Sequence, residues 1–473
     1  MKKDKKEILA ELEIDSLAYE GLAVARKEGK VYFIKGAVPL DIVIARIHKS
    51  KKNYAEGIVK EIIEPSPNRI EPECEYFGTC GGCSWQNINY SEQLHWKAIH
   101  VKDAFERIGK FINPKLLEII GSERPFHYRN KMEFSFGGSR WLREDEINSE
   151  DEIINKNFGL GLHLPGRFDK ILDLAYCRIQ QTYSDDILNS VRDKALELGL
   201  TAYNPRTRSG FLRSLIIRYS LRDDSFMVNL ITWEAVSDVE KEFLQWLKQE
   251  FYSKFDKVTS LVHAVNISLN PVTIERFEIL KGNQYLTERI IDVDYHISPF
   301  SFFQTNSHQL DKFISKIIET ADIQSNDIVW DLYCGAGSIT LPASKKCREI
   351  YGIELSKDTI NDANHNKQFN NIDNAHFYAD DLHRKNIPEL LNTLPKPDII
   401  ILDPPRAGLH NNLINHLLQI ETPKIVYVSC NPATQARDCE ILSSKYELMS
   451  VQPFDMFPQT YHIETIALLK IKE

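Results

Sequence analysis

The chain has 473 residues, which is too long for one ordinary domain and fits about three. Hydrophobic residues make up 42% and charged residues 26%, the balance of a globular protein, and no apolar run reaches the roughly 18 residues needed to span a bilayer. The formal net charge of -9 argues against a uniformly basic nucleic-acid-binding protein, so any contact with nucleic acid must come from local patches.

The chain starts Met1-Lys2-Lys3-Asp4-Lys5-Lys6-Glu7, which is charged and lacks the apolar core of a signal peptide. A cytoplasmic location is expected. In that setting the 8 cysteines are read as metal ligands, nucleophiles or buried apolar residues rather than as a disulfide framework.

From residue 8 to about 63, short runs alternate apolar and polar residues. Val31-Tyr32-Phe33-Ile34 and Asp41-Ile42-Val43-Ile44-Ala45 read as strands, punctuated by Gly21, Gly29, Gly36 and Pro39. The expectation is a small OB-like β-barrel over residues 1–64. Residues 1–60 carry 13 Lys and Arg against 9 Asp and Glu, a modest basic excess that equally suits an ordinary solvated surface.

Pro65, Pro67 and Pro72 mark a linker. Cys74, Cys80 and Cys83 follow, and then Leu94, Ala98, Val101, Phe105 and Ile108 recur at helical spacing before Gly109. Residues 65–288 are expected to form a central α+β domain, mostly strands after residue 125. Residues 144–152 hold six acids in nine positions and read as a solvated loop. Residues 201–222 contain Arg206, Arg208, Arg213, Arg218 and Arg222 with Phe211 and Tyr219 interleaved and no acid. That pattern suits phosphate contact and base stacking, although plain surface accounts for it equally well.

Beyond residue 289 the texture changes to short continuous apolar runs separated by helical patterns. Ile328-Val329-Trp330, Ile350-Tyr351-Gly352-Ile353, Ile399-Ile400-Ile401-Leu402 and Ile425-Val426-Tyr427-Val428 read as strands covered on both faces. Residues 289–473 are therefore expected to be a doubly wound α/β domain with its ligands at the carboxyl ends of the strands.

The first of these strands runs into Asp331-Leu332-Tyr333-Cys334-Gly335-Ala336-Gly337-Ser338, a glycine-rich turn that lets backbone approach a ligand. Glu354 ends the second strand, where a carboxylate can accept from both ribose hydroxyls. A dinucleotide fingerprint would place a third glycine at Thr340, and S-adenosyl-L-methionine, with a ribose and no pyrophosphate, does not need it. The third strand ends in Asp403-Pro404-Pro405-Arg406-Ala407-Gly408, and the next in Ser429-Cys430-Asn431-Pro432. Amino-group methyltransferases carry an aromatic residue where Arg406 stands, and they have no use for Cys430. A thiolate, by contrast, is what carbon 5 of uracil requires. Adding to carbon 6, it makes the ring an enolate, and a base must afterwards remove the carbon 5 proton.

These motifs, with Ala433-Thr434-Gln435-Ala436-Arg437-Asp438 and Phe454-Asp455-Met456-Phe457-Pro458-Gln459-Thr460-Tyr461-His462-Ile463-Glu464, resemble the RNA uracil-5-methyltransferases over essentially the whole chain. The resemblance implies an N-terminal TRAM barrel, an RNA-binding module. It implies Cys430 as nucleophile and Glu464 as base, with Gln304, Tyr333, Ser338, Glu354, Asp381 and Asp403 around the cofactor. Ser338 replaces the Asn of some relatives, and Asp380 competes with Asp381 for its position.

Cys74, Cys80 and Cys83 sit in one tight loop with Gly81 and Gly82, and Cys177 is the remaining cysteine outside the catalytic domain. Four thiolates suit zinc or an iron–sulfur cluster, and spacing does not choose between them. The resemblance favours [4Fe-4S] and the branch that modifies 23S ribosomal RNA, with the target uridine flipped out of its stack and the enzyme acting as a monomer away from membranes. The competing expectations are the same chemistry on transfer RNA and an RNA-binding protein without activity.

Overall fold

The computed structural model describes residues 8–149, 153–270, 272–384 and 387–473; the N-terminal lysine run and the last three residues of the acidic insertion fall outside them. No helix among the described residues is long and apolar enough to cross a membrane.

Strands β1 (Ile8–Glu13), β2 (Ser16–Leu17), β3 (Ala23–Lys27), β4 (Lys30–Lys35), β5 (Ile42–Ser50) and β6 (Tyr54–Glu64) form one sheet in the order β1-β5-β6-β4-β3-β2. Residues 8–17 act as one bent strand, pairing first with β5 and then with β3, which closes the sheet into the expected barrel. Alternate residues Val43, Ala45 and Ile47 of β5 point into its core beside Leu12, Ile34 and Ala55. The proline linker is pinned to the barrel by buried Asp41. Its carboxylate accepts from the Ser66 amide at 2.8 Å and pairs with Arg69 at 2.5 Å.

The central sheet has the order β13-β12-β11-β10-β7-β8-β9. Its strands are β7 (Lys131–Gly137), β8 (Gly159–Leu164), β9 (Arg167–Asp173), β10 (Leu212–Ser220), β11 (Ser225–Thr232), β12 (Val258–Val265) and β13 (Arg276–Gly282). Helices Tyr183–Glu197 and Asp238–Trp246 cover one face through Ile187, Val191 and Phe243. The start of the acidic insertion is a short helix, Glu144–Asn148, rather than loop throughout.

Within the arginine-rich stretch, Arg213 and Arg218 do not form the phosphate-binding edge that the composition suggests. Arg218 is 3% exposed and donates to the carbonyls of Pro299 and Ser301. Arg213 donates to the carbonyls of Asn266 and Ser268 at 2.7 and 2.8 Å and lies over the Tyr203 ring. Phe211 is buried in the sheet core. An arginine inside a strand serves whatever covers its face, and here that is the segment leading to Gln304. Arg206 and Arg208 are exposed on the loop before β10.

A hairpin of β14 (Leu286–Ile290) and β15 (Val293–Ile297) leads into the catalytic domain. Its sheet has the order β18-β17-β16-β19-β20-β22-β21, comprising β16 (Ile328–Leu332), β17 (Glu349–Glu354), β18 (Ala375–Ala379), β19 (Ile399–Leu402), β20 (Lys424–Ser429), β21 (Tyr446–Phe454) and β22 (Glu464–Ile471). β16 to β20 are parallel, and β22 inserts antiparallel between β20 and β21. Ile399 and Ile401 enter one core while Ile400 and Leu402 enter the other, so continuous apolar runs are required. The order reverses beside β16, and the crevice beyond the β16 and β19 ends is where such sheets bind ligands.

The helix Tyr90–Asp103 packs on this domain through Val101 and the following Ala104 and Phe105. Its polar face grips the segment before β22. Lys97, with no exposed surface, donates to Asp455 at 2.7 Å and to the Phe457 carbonyl at 3.0 Å. Tyr90 donates to the same carboxylate at 2.9 Å.

Candidate active site

At the carboxyl ends of β16, β17, β19 and β20 lies a cavity of about 550 Å³. Gln304, Tyr333, Ser338, Glu354, Asp381, Asp403, Cys430 and Glu464 all line it. Asp380 lines it too, so both acids after β18 face the same space.

One end is built by the turn after β16. Tyr333, Gly335 and Gly337 take φ of 68°, 54° and 83°, folding the backbone tightly back at the strand end. A side chain at Gly337 would press on Phe377 at 3.1 Å. The Tyr295 hydroxyl donates to the Gly337 carbonyl at 3.0 Å, and Thr340 donates to buried Asp331 at 2.5 Å. Burial raises the Asp331 carboxyl to about 7. Glu354 stands at the end of β17, accepting from the Ser356 amide at 3.0 Å. The Tyr333 hydroxyl is buried without a hydrogen-bond partner. These groups fit a nucleoside ligand: an acid for the ribose, an open backbone turn and an unused donor.

The other end follows from strand register. β20 and β22 pair Ser429 with Thr465, which brings Cys430, just past the end of β20, and Glu464, the first residue of β22, to the same end of the strand pair, where both line the cavity. Thr465 donates to the Ser429 carbonyl at 3.0 Å and to Gln435 at 2.6 Å, and Gln435 donates to the Tyr427 carbonyl at 2.7 Å, which locks that register. The loop 403–408 is fastened to the helix Pro432–Leu442: Asn431 donates to the Arg406 carbonyl at 3.1 Å, and the Leu409 amide to Asp438 at 2.8 Å. Gly408, with φ of 79°, leaves no room for a side chain, because a Cβ would meet Asp438 at 2.5 Å.

Burial raises Glu464 well above the carboxylate range; Asp403 adds to the rise and Arg406 opposes it. Burial lifts Asp403 to about 7. The Cys430 thiol is pushed up to about 11 by burial, then by Glu464 and Asp403, while Arg406 pulls it down. Burial therefore favours the neutral thiol of Cys430 and the protonated carboxyl of Glu464. Arg406 donates to His462 at 3.3 Å, and burial with that positive neighbour lowers the imidazole to about 4.

Tyr295, Phe302, His383, Phe457 and His462 also line the cavity, and no role is assigned to them from sequence. His462 lies in a motif already singled out, two residues before Glu464. Phe302 stands two residues before Gln304, in the stretch Phe302-Phe303-Gln304-Thr305-Asn306 that carries that glutamine, while Tyr295 has no comparable signal, because it precedes the first strand of the parallel sheet.

The cysteine loop is a separate place. Cys74, Cys80, Cys83 and Cys177 line one small, largely apolar cavity with Tyr76, Met132 and Leu162. Burial pushes Cys83 and Cys177 up to about 12, and each thiol raises its neighbours further. Among the described residues, no three His, Cys, Asp or Glu side chains gather as the ligand set of a single metal ion.

A family model described as tRNA (Uracil-5-)-methyltransferase matches residues 220–472, and a TRAM domain model matches residues 9–60. An uncharacterized RNA methyltransferase of Bacteroides thetaiotaomicron is 39% identical, with 96% of this chain and 100% of that one covered. One from Chlorobaculum tepidum is 40% identical over 94% of this chain and 92% of that one. The crystal structure of Pyrococcus abyssi tRNA (uracil-54, C5)-methyltransferase in complex with S-adenosyl-L-homocysteine superimposes with a TM-score of 0.73, at 28% identity, covering 97% of this chain and 100% of that chain.

Proposed function

The chain belongs to the tRNA (uracil-5-)-methyltransferase family and is an S-adenosylmethionine-dependent RNA methyltransferase; from that premise we propose that it methylates carbon 5 of a uridine in 23S ribosomal RNA through a covalent bond from Cys430 to carbon 6. The observation that carries the mechanism is that Cys430 and Glu464, at the same end of the β20–β22 pair, line one cavity with Glu354 and Asp403.

S-adenosyl-L-methionine, when bound, supplies an electrophilic methyl group and a positive sulfonium. Gln304, Tyr333, Ser338, Glu354, Asp381 and Asp403 would hold it, with the Glu354 carboxylate available to the ribose hydroxyls. A positive charge beside Asp403 and Glu464 favours their ionised forms, which burial alone opposes. The Cys430 thiolate forms the bond to carbon 6, and the ring electrons move onto the oxygen at carbon 4. After methylation, Glu464 takes the proton from carbon 5. The electrons of that bond restore the ring double bond and expel the sulfur. The target base leaves its stack to reach Cys430, at a cost of a few kcal/mol.

The barrel and the cysteine loop favour ribosomal RNA. The overlap with a transfer-RNA enzyme along its whole length favours transfer RNA as the second reading. Mapping 5-methyluridine in both RNAs from a strain lacking the gene tests this. Loss of a site in 23S RNA is the expected result, and loss confined to transfer RNA replaces the first reading with the second.

Cys74, Cys80, Cys83 and Cys177 are proposed to hold a [4Fe-4S] cluster, with a structural role. What supports a shared group is that the four thiols line one small cavity, and the family resemblance is what favours iron–sulfur over zinc; among the described residues no three His, Cys, Asp or Glu side chains are placed to hold a metal ion.

A further inference from the structure

The barrel reaches the catalytic loop through the short turn between β2 and β3. Two contacts hold that turn in place: the His100 Nε2 atom lies 2.9 Å from the Leu17 carbonyl, and the Trp85 indole donates to the Gly21 carbonyl at 3.3 Å. Gly21 has φ of 88°, and a Cβ there would touch both Trp85 and Tyr461 at 3.3 Å, so the turn fits closely against its neighbours.

Between these anchors Tyr19 points away from the barrel. Its ring meets the edges of His100 and Tyr461, each at 6.0 Å between centroids. Its hydroxyl donates a long hydrogen bond, 3.5 Å, to the carbonyl of Cys430 itself. Burial and then the Cys430 thiol raise the phenol, which stays a neutral donor across the working pH range. Tyr461 is three residues before Glu464 and packs against the barrel core. Tyr19 thus touches the nucleophile's backbone on one side and the approach to the base on the other.

We propose that Tyr19 is a positioning residue for the nucleophile, fixing the Cys430 backbone through its hydroxyl while its ring braces Tyr461, so that the barrel completes the catalytic site. This rests on the assignment of Cys430 as nucleophile. The barrel's contribution to turnover then goes beyond holding RNA, because it sets the aim of a sulfur more than 400 residues away in sequence.

The test uses full-length Tyr19→Phe and Tyr19→Ala with ribosomal RNA from a strain lacking the gene. Three quantities are read: RNA affinity, the single-turnover methylation rate at saturating RNA, and the rate at which iodoacetamide alkylates Cys430 without RNA. In Tyr19→Ala, methylation should fall about tenfold with RNA affinity kept within about twofold, because a misaimed reacting atom loses rate and not binding. Alkylation of Cys430 should rise about threefold in the same variant, since a freed loop opens the thiol to a small reagent. Tyr19→Phe should restore the thermal midpoint but not the full methylation rate. Three results would overturn the proposal: affinity lost with the single-turnover rate intact, full recovery of rate by phenylalanine, or both rates unchanged. If the wild-type protein does not methylate this RNA, the proposed function fails, and the alkylation rates alone still decide the role of Tyr19.

Discussion

Two groups of cysteines in this chain are buried in similar degree and surrounded by different chemistry. Cys430 shares its cavity with the Glu464 carboxyl and has a guanidinium, Arg406, that favours its thiolate. Cys83 and Cys177 face other thiols, and the nearby charges that act on them are those same sulfurs. A lone thiol beside an acid and a cation suits the proposed nucleophile. Thiols gathered on an apolar cavity suit the proposed shared metal group. The difference lies in their partners rather than in burial, because burial raises all of them.

The sharpest way to break this comparison is to remove one cysteine from each place. Cys430→Ala should lower turnover on the order of 10⁴-fold or more, as loss of a covalent nucleophile does, with the thermal midpoint held. Cys83→Ser should instead lose the proposed cluster, so that anaerobically purified protein lacks the brown colour expected of the wild type and unfolds at a lower midpoint, while some turnover persists. Iron analysis of the two variants separates them. Stoichiometric zinc in a colourless wild type would replace the iron assignment, and equal loss of turnover with no metal in either would erase the distinction.

A structural bridge joins the two places and offers a second cut. The Ser84 and Trp85 amides, next to Cys83, donate to the Gln459 carbonyl at 2.8 and 3.1 Å, and Lys97 holds Asp455 in the same segment. Lys97→Met leaves Asp455 buried without its cation and should cost about 3–5 kcal/mol in urea unfolding. Pairing it with Asp455→Leu should recover most of that. If the single variant keeps full stability, the pair does not brace the segment that carries Glu464.

Reactivity against pH sharpens the contrast at a smaller scale. With its thiol raised to about 11, Cys430 in the free protein should alkylate slowly at neutral pH and faster as pH climbs, because the thiolate fraction grows toward that value. Arg406→Ala removes the group that lowers it and should slow alkylation at any fixed pH. Cys83 and Cys177, raised to about 12, should lag behind Cys430 in metal-free protein. Mass spectrometry of the alkylated peptides reads all three. The smallest effect belongs to Arg206 and Arg208: replacing both with alanine should reduce the salt slope of RNA binding by about 2, with single-turnover methylation unchanged.

The catalytic domain is legible in the amino-acid sequence because parallel strands covered on both faces must be continuously apolar, as Ile399–Leu402 is. The opposition of Cys430 and Glu464 is legible only as a pair of motifs, since the register that unites them depends on β22 inserting between β20 and β21. The arginines at 213 and 218 mislead for a similar reason. Their charge suggests a surface, and the segment that covers Arg218 lies 81 residues further on. Tyr19 and Lys97 carry no local signal at all, because their partners are 411 and 358 residues away and only the packed domains bring them together.

The central claim is that Cys430 adds to the uracil ring and Glu464 releases it. Glu464→Gln incubated with substrate RNA and S-adenosyl-L-methionine tests this most directly, with denaturing electrophoresis and mass spectrometry of the protein–RNA band. The expected result is a denaturation-resistant complex that already carries the new methyl group, stalled because the carbon 5 proton stays in place, and its absence in Cys430→Ala. Near-normal methylation by Cys430→Ala, or free methylated RNA released by Glu464→Gln at the wild-type rate, would contradict it.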